Sequence, residues 1–192
     1  MTTPPVDPAA ALTWRPLRRD DFGLLSAWLD DPDVARWWPD PHTPDDLERH
    51  YGPSIDRVDP TEVFVVEIDG VASGLIQRYR LTDEPEWRTI LGEDLPATGI
   101  DLARAAGIDY LLGRPEVRGR GLGTRLIGAF TAAIWAELDG IDMVVVAVQE
   151  ANRPSWRALE RVGYVRVWSG QLHSDDPSDA GLSVVLALRR PR

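Results

Sequence analysis

Two neighbouring stretches decide how this chain is read: Gly107-Ile108-Asp109-Tyr110-Leu111-Leu112, and Val117-Arg118-Gly119-Arg120-Gly121-Leu122-Gly123-Thr124. The first reads as a strand. The second is a glycine- and arginine-rich turn. A helix follows it, with Leu122, Leu126, Ile127, Phe130, Ala133, Ile134 and Leu138 on one face and Asp139-Gly140 as its stop. Strand, turn and helix in that order make an anion cradle. The glycines let backbone N–H groups point inward with no Cβ in the way, and the helix N-terminus adds further donors suited to a pyrophosphate. Arg118 and Arg120 can add charge. The spacing differs from the dinucleotide pattern G-x-G-x-x-G, and no Gly-Lys-Ser/Thr is present. The other reading of the stretch is a glycine turn that merely starts a helix.

Outward from this core, Leu12–Leu17 (LTWRPL) reads as a first strand. Asp20 or Asp21 then offers an N-cap to a helix with Phe22, Leu24, Leu25, Trp28 and Leu29 on its apolar face. Thr43-Pro44-Asp45-Asp46 starts a second helix with a capping hydroxyl, proline at the first position and early carboxylates. Glu62–Ile68 and Val71–Leu81 are strands joined by the hairpin turn Asp69-Gly70. Thr82–Ala106 is acidic, long and without regular pattern, so it is expected as a loop. Met143–Val148 (MVVVAV) is apolar throughout, as in a strand buried on both faces. A short helix over Pro154–Val162 is expected to bury Trp156, Leu159 and Val162, and Tyr164–Trp168 and Leu182–Leu188 close the sheet. The order is β-α-α-β-β-β-α-β-α-β-β.

Composition bounds the function. The chain has 192 residues, 43% hydrophobic and 27% charged, which fits one globular domain of residues 12–192 preceded by a flexible arm over 1–11. No apolar run reaches a membrane span, and no secretory signal is expected at the N-terminus, which lacks positive charge and an apolar stretch. Cysteine is absent, so disulfides, thiolate metal sites and cysteine nucleophiles are excluded. With 3 His and no ligand spacing, no metal is expected. The net charge of −10 disfavours nucleic acid and favours a cationic partner, though plain solubility explains it equally well. All 21 basic residues are arginine.

Arg118-Gly119-Arg120-Gly121-Leu122-Gly123 resembles the Q/R-x-x-G-x-G/A signature of the GNAT acetyltransferase superfamily, which holds the pyrophosphate of acetyl-CoA. Asn152-Arg153-Pro154-Ser155-Trp156-Arg157-Ala158-Leu159-Glu160-Arg161-Val162-Gly163-Tyr164 resembles that family's N-x-x-(S/A)-x-x-x-(Y/L)-E-(K/R)-x-G-(F/Y) segment. Strand order and spacing agree from Leu12 to about Leu188. The resemblance implies an α+β GNAT fold: one domain with a mostly antiparallel, twisted sheet of about seven strands and about four flanking helices. Four further segments resemble the aminoglycoside 6'-N-acetyltransferase branch: Val34–Trp38, Tyr51–Ile55, Ile76–Tyr79 and Gly107–Asp109.

What the resemblance implies is an acetyl-CoA-dependent N-acetyltransferase, cytoplasmic, monomeric or homodimeric, acting on a primary amine of a small cationic molecule. An aminoglycoside 6'-amine is the first acceptor; protein N-termini and siderophore or polyamine amines are alternatives. An acyl-CoA sensor without turnover is the alternative of another class. Asp109 is the candidate base, the other reading being an acidic strand-end residue in a salt bridge. Val117, Arg118, Gly119, Arg120, Gly121, Leu122, Gly123 and Thr124 are implied to hold the pyrophosphate, and backbone amides near Leu111 and Leu112 the acetyl oxygen or pantetheine. Asn152 and Ser155 either contact the cofactor or, for Asn152, cap a helix. Many family members carry a tyrosine general acid where this chain has Leu159. Tyr164 is expected in the core, so the general acid is unassigned. Acceptor candidates are Trp37, Trp38, Tyr51, Gln77, Tyr79, Trp87, Asp101, Asp109, Glu150 and Asp179. For the tryptophans a core role, and for the carboxylates a solvated acidic surface, are the competing readings.

Overall fold

Asp69 and Gly70 both have positive φ, 50° and 75°, as a two-residue primed hairpin turn requires. They join β2 (Glu62–Ile68) to β3 (Val71–Arg80). The structure is a computed structural model that describes residues 7, 9–174 and 181–191. The remaining strands are β1 (Leu12–Pro16), β4 (Ala105–Leu112), β5 (Met143–Gln149), β6 (Val165–Gln171) and β7 (Leu182–Arg189). Their order along one sheet is β1-β2-β3-β4-β5-β7-β6. β1/β2, β5/β7 and β6/β7 pair antiparallel, while Ala105–Gly107 of β4 pairs parallel with Met143–Val145 of β5. The mixed α/β architecture with seven strands is the one the sequence implied.

Among the described residues, four helices have eight or more residues: α1 (Phe22–Leu29), α3 (Pro44–Ile55), α6 (Leu122–Glu137) and α7 (Arg153–Val162). Thr43 starts α3 as read. Its hydroxyl accepts from the Asp46 N–H and the Asp46 carboxylate accepts from the Thr43 N–H, each at 3.3 Å. Asp21, by contrast, does not cap α1 with its side chain. Its carboxylate is taken by Arg15 at 2.7 Å and by the Arg18 N–H at 2.9 Å. On α1, Leu25, Trp28 and Leu29 are buried but Leu24 is exposed.

Three shorter helices, α2 (Pro32–Ala35), α4 (Glu86–Leu91) and α5 (Leu95–Thr98), add to these. The last two correct the loop expected over Thr82–Ala106. That segment is helical in part because Trp87 and Leu91 lie one turn apart and both sink into a core. β4 also starts two residues earlier than expected, at Ala105.

The described chain divides into two compact units. The first comprises 1–77 and 109–123; its main core gathers Leu25, Trp28, Leu29, Leu47, Tyr51, Val65, Leu75 and Leu111. A smaller, separate cluster gathers Ala10, Ile68, Val117 and Leu122, and the Ala11 N–H donates to Asp69 at 2.8 Å. The arm expected over 1–11 is thus anchored at its end. The second unit comprises 78–108 and 124–192, with a core of Leu81, Trp87, Leu91, Ala105, Met143, Val145, Val185 and Ala187. Among the described residues no helix is long and apolar enough to cross a membrane.

Trp87 is 5% exposed within this second core. Trp87→Ala is therefore expected to cost about 3–5 kcal/mol of stability by urea denaturation. A cost below about 1 kcal/mol, the size of a surface change, contradicts the core assignment.

Candidate active site

The Gly113 N–H donates to the Ser73 carbonyl at 2.9 Å. In the antiparallel register this sets, Leu75 lies opposite Leu111 and Gln77 opposite Asp109. Leu75 and Leu111 are buried in the first core. One step along the same strand face, the half-buried Asp109 takes a hydrogen bond from the Gln77 amide, Nε2 to Oδ2, at 3.0 Å. Asp109 is thus a mid-strand carboxylate held by a neutral donor, at the margin of an apolar core. In the second unit, the Leu81 N–H donates to the Ala105 carbonyl at 3.0 Å, which sets Tyr79 opposite Gly107. The Tyr79 ring lies against Gly107 so closely that a methyl group there would overlap it. That contact is why glycine stands two residues before Asp109.

The strand runs on through a 3-10 turn over Pro115–Val117 into the glycine stretch. Gly119 and Gly121 adopt φ of 71° and 80°, the left-handed region that an L side chain enters only with strain. The N–H groups of Gly119, Arg120 and Gly121 make no hydrogen bond among the described residues. Those of Leu122, Gly123 and Thr124 open α6, where helix geometry supplies them no partner. Val117 and Leu122 are fully buried.

Arg118 does something the sequence did not reveal. Its Nε donates to the Leu112 carbonyl at 2.8 Å and Nη2 to the Gly113 carbonyl at 2.7 Å. The guanidinium also pairs with Asp31 at 3.2 Å and Asp33 at 3.3 Å. The expected addition of charge to the cradle is corrected: Arg118 is a clasp, neutralised by its partners. Arg120 is exposed, with Nε bonded to the Glu116 carbonyl at 2.7 Å.

On the acceptor side, Trp38 is half-buried against the first core, and its indole N–H donates to Asp40 Oδ2 at 2.7 Å. Trp37 turns elsewhere, with the Arg36 guanidinium 4.6 Å above its ring. Tyr51 is 1% exposed, and its hydroxyl oxygen is buried with no partner at hydrogen-bond distance among the described residues. Burial raises its pKa, the charge of Asp40 pushes it further up, the neighbouring Trp38 side chain works in the opposite direction, and Asp109 adds a smaller upward push. Trp38, Asp40, Tyr51, Gln77 and Asp109 all belong to the first unit.

Other candidates lie elsewhere or serve structure. Trp87 is a core residue rather than a cleft wall. Asp101 caps a short turn through the Ala103 N–H at 3.0 Å and lines a cavity of about 340 Å³ in the second unit, beside Leu81, Arg88 and Ile100. Glu150 is exposed at the end of β5. Its carbonyl accepts from the Trp156 indole at 3.0 Å; Trp156 is half-buried and sits under Arg166, so of the three residues expected inside α7 only Leu159 is buried. Asn152 Oδ1 accepts from the Ser155 N–H at 3.4 Å, the capping role. Leu159 is fully buried, and Tyr164 is 2% exposed with its hydroxyl 2.7 Å from Thr131 Oγ1. Asp179 lies outside the described residues. Sequence reasoning missed Asp31 and Asp40. Asp31 is 87 residues from Arg118, so no local pattern exposes the pair.

A family model described as Acetyltransferase (GNAT) domain matches residues 18–172. Aminoglycoside N(6')-acetyltransferase type 1 of Klebsiella pneumoniae is 24% identical over 160 residues, covering 81% of this chain and 75% of the relative. The crystal structure of the aminoglycoside acetyltransferase AAC(6')-Ib in complex with coenzyme A superposes with a TM-score of 0.75 at 22% identity, over 94% of this chain and 95% of that one. Spermidine N-acetyltransferase from Vibrio cholerae, in complex with CoA and spermine, superposes with a TM-score of 0.70 at 18% identity, over 93% and 95% of the two chains.

Arg118 holds the Asp31 carboxyl below its ordinary range. A lowered carboxylate stabilises the fold fully above its unfolded value near pH 4, and that contribution is lost as pH falls through the lowered value. The pair is partly exposed, so Asp31→Asn should lower the melting temperature by only about 1–4 °C at pH 7. The two proteins should converge as pH falls below about 4. A gap that stays constant from pH 7 to pH 3 contradicts the clasp.

Proposed function

Because the chain belongs to the GNAT acetyltransferase family, we propose that it transfers an acetyl group from acetyl-CoA to a primary amine of a small polycationic molecule, with the 6'-amine of an aminoglycoside as the leading acceptor. The observation that carries this reading is the pairing of Gln77-held Asp109 with a glycine turn whose amide donors lack protein partners. Unpartnered donors at left-handed glycines and a helix start fit a diphosphate. In this reading Gly119, Arg120, Gly121, Leu122, Gly123 and Thr124 hold it through backbone N–H groups, and the backbone near Leu111 and Leu112 lines the pantetheine. Acetyl-CoA supplies a thioester whose carbonyl carbon the free amine attacks; the C–N bond forms, the C–S bond breaks and coenzyme A leaves as its thiolate.

Asp109 takes the first task, the ammonium proton. A carboxylate is about 6 pKa units too weak to strip an ammonium outright. Asp109 therefore works by holding the cation and relaying its proton through water. Gln77 fixes Oδ2 and so sets the carboxylate plane. No side-chain acid is needed at Leu159, since a thiol with a pKa near 8.5 leaves acceptably as the anion. Tyr164, bound to Thr131 in the core, plays no part in the transfer.

The acceptor class rests on two supports. The relatives act on aminoglycosides and spermidine, both polycationic amines, and this chain carries a net charge of −10. The test is coenzyme A release across aminoglycosides, polyamines and peptides. Asp109→Asn is expected to lower kcat by roughly 100-fold or more, with KM for acetyl-CoA little changed. Gly121→Ala, which puts a side chain in left-handed backbone at a cost of about 1–2 kcal/mol, should weaken acetyl-CoA binding by roughly 5- to 30-fold. If no amine in the panel stimulates release, the reading fails.

A further inference from the structure

The connection between β3 and β4 is far longer than the sheet needs. The Leu81 N–H donates to the Ala105 carbonyl at 3.0 Å, and about two to five residues close such an antiparallel pair. This chain places residues 82–104 there instead and ties them down. The Trp168 indole donates to Asp94 Oδ2 at 2.8 Å, and Arg189 Nη2 donates to the Gly99 carbonyl at 2.7 Å. The Thr98 hydroxyl donates to the Leu95 carbonyl at 2.6 Å and accepts from the Ile100 N–H at 3.1 Å. What the excursion encloses is the cavity of about 340 Å³. Its floor is apolar: Leu81, Ile100 and Leu102 are buried, the last two with 8% of their surface open, and Leu95 is half-buried. Its rim carries one exposed charge of each sign, Arg88 and Asp101. The Arg88 guanidinium makes no hydrogen bond or ion pair among the described residues, although Asp83, Glu84 and Glu86 stand in the same segment. Asp101 Oδ1 accepts from the Ala103 N–H at 3.0 Å, while Oδ2 takes no hydrogen bond among the described residues. The neighbouring Arg104 is engaged by Asp142.

We propose that this cavity is a binding site of its own for a small zwitterion with an apolar body: a free α-amino acid with a branched or aromatic side chain. An apolar floor with a few polar groups at its edge is the make-up of a small-molecule site. The carboxylate accepts from Arg88, whose planar fork suits two oxygens at once. The ammonium donates to Asp101 Oδ2. The side chain lies on Leu81, Leu95, Ile100 and Leu102. The volume is near the lower end of small-molecule sites, roughly 300–1,000 Å³, which suits one amino acid better than a nucleotide or an oligosaccharide. Charge selects the class as well. A polyamine offers nothing to Arg88, and a fatty acid offers nothing to Asp101. Because Thr98, Gly99 and Asp94 are already tied, little of the wall must be ordered on binding. All the lining residues belong to the second unit, so the site stands whether or not the chain transfers acetyl groups at Asp109.

The test is calorimetry on the full chain without coenzyme A. The probes are L-leucine and L-phenylalanine, with L-leucinamide lacking the carboxylate, 4-methylpentanoate lacking the amine, and glycine lacking the apolar body. Leucine or phenylalanine is expected to bind with a dissociation constant of roughly 1 mM or below. Leucinamide and 4-methylpentanoate should bind roughly tenfold more weakly, and glycine not measurably. Arg88→Gln should remove the difference between leucine and leucinamide. Asp101→Asn keeps the cap on the Ala103 N–H and should remove the difference between leucine and 4-methylpentanoate. Both residues are exposed, so neither change should move the melting temperature beyond that of an ordinary surface substitution, and the loss of discrimination is then a loss of recognition. Amide resonances of Leu81, Ile100 and Leu102 should shift with leucine. A wild type that binds neither amino acid at roughly 10 mM, a variant that keeps the wild-type discrimination, or leucine-induced shifts that fall away from the cavity overturns the proposal.

Discussion

One guanidinium fixes the end of β4. Arg118 reaches back to the carbonyls of Leu112 and Gly113 and across to Asp31 and Asp33. The carbonyls at a strand end have no ladder partner of their own, and a single planar fork satisfies two of them while an ion pair holds the fork. Everything between Asp109 and Gly119 therefore has little freedom. The carboxylate is set by the strand and by Gln77, the turn by the clasp, and the distance between them by a short rigid segment. A lysine could not replace this arrangement, since one ammonium cannot present a fork to four acceptors.

The clasp also sorts the electrostatics. With Arg118 paired to carboxylates, the proposed hold of the turn on a diphosphate would rest on main-chain N–H groups and the start of α6 rather than on its side chain. The chain as a whole is acidic, which suits a cationic acceptor and would oppose an anionic donor without such a local device. Asp109, Gln77, Tyr51, Trp38 and the glycines 119–123 are all carried by one compact unit with its own core. The carboxylate, its amide partner and the glycine turn can thus be positioned by packing within that unit.

Where the sequence was legible, short-range chemistry was the reason. Asp69-Gly70 needs positive φ at both positions, Thr43-Pro44 carries its own capping geometry, and the glycine spacing at 119–123 exposes a backbone role. What stayed hidden depends on partners far along the chain. Arg118 looked like a phosphate ligand because nothing near it announces Asp31. Trp87 looked like a cleft residue because its segment is acidic and lacks an obvious period, although Trp87 and Leu91 together bury one side of a helix. Asn152 had two readings, and only its bond to the Ser155 N–H shows that it caps α7. Asp40 follows two tryptophans and a proline, a context with no signature until Trp38 is seen bonded to it.

The central claim is that main-chain amides from Gly119 to Thr124 grip the donor's diphosphate. Its most direct test is titration of the isotopically labelled protein with coenzyme A, following backbone amide resonances. The account predicts that the largest shifts fall on the N–H groups of Gly119 through Thr124, with smaller ones along β4 near Leu111. Unmoved amides in that turn under saturating coenzyme A, with the shifts falling elsewhere, would contradict it.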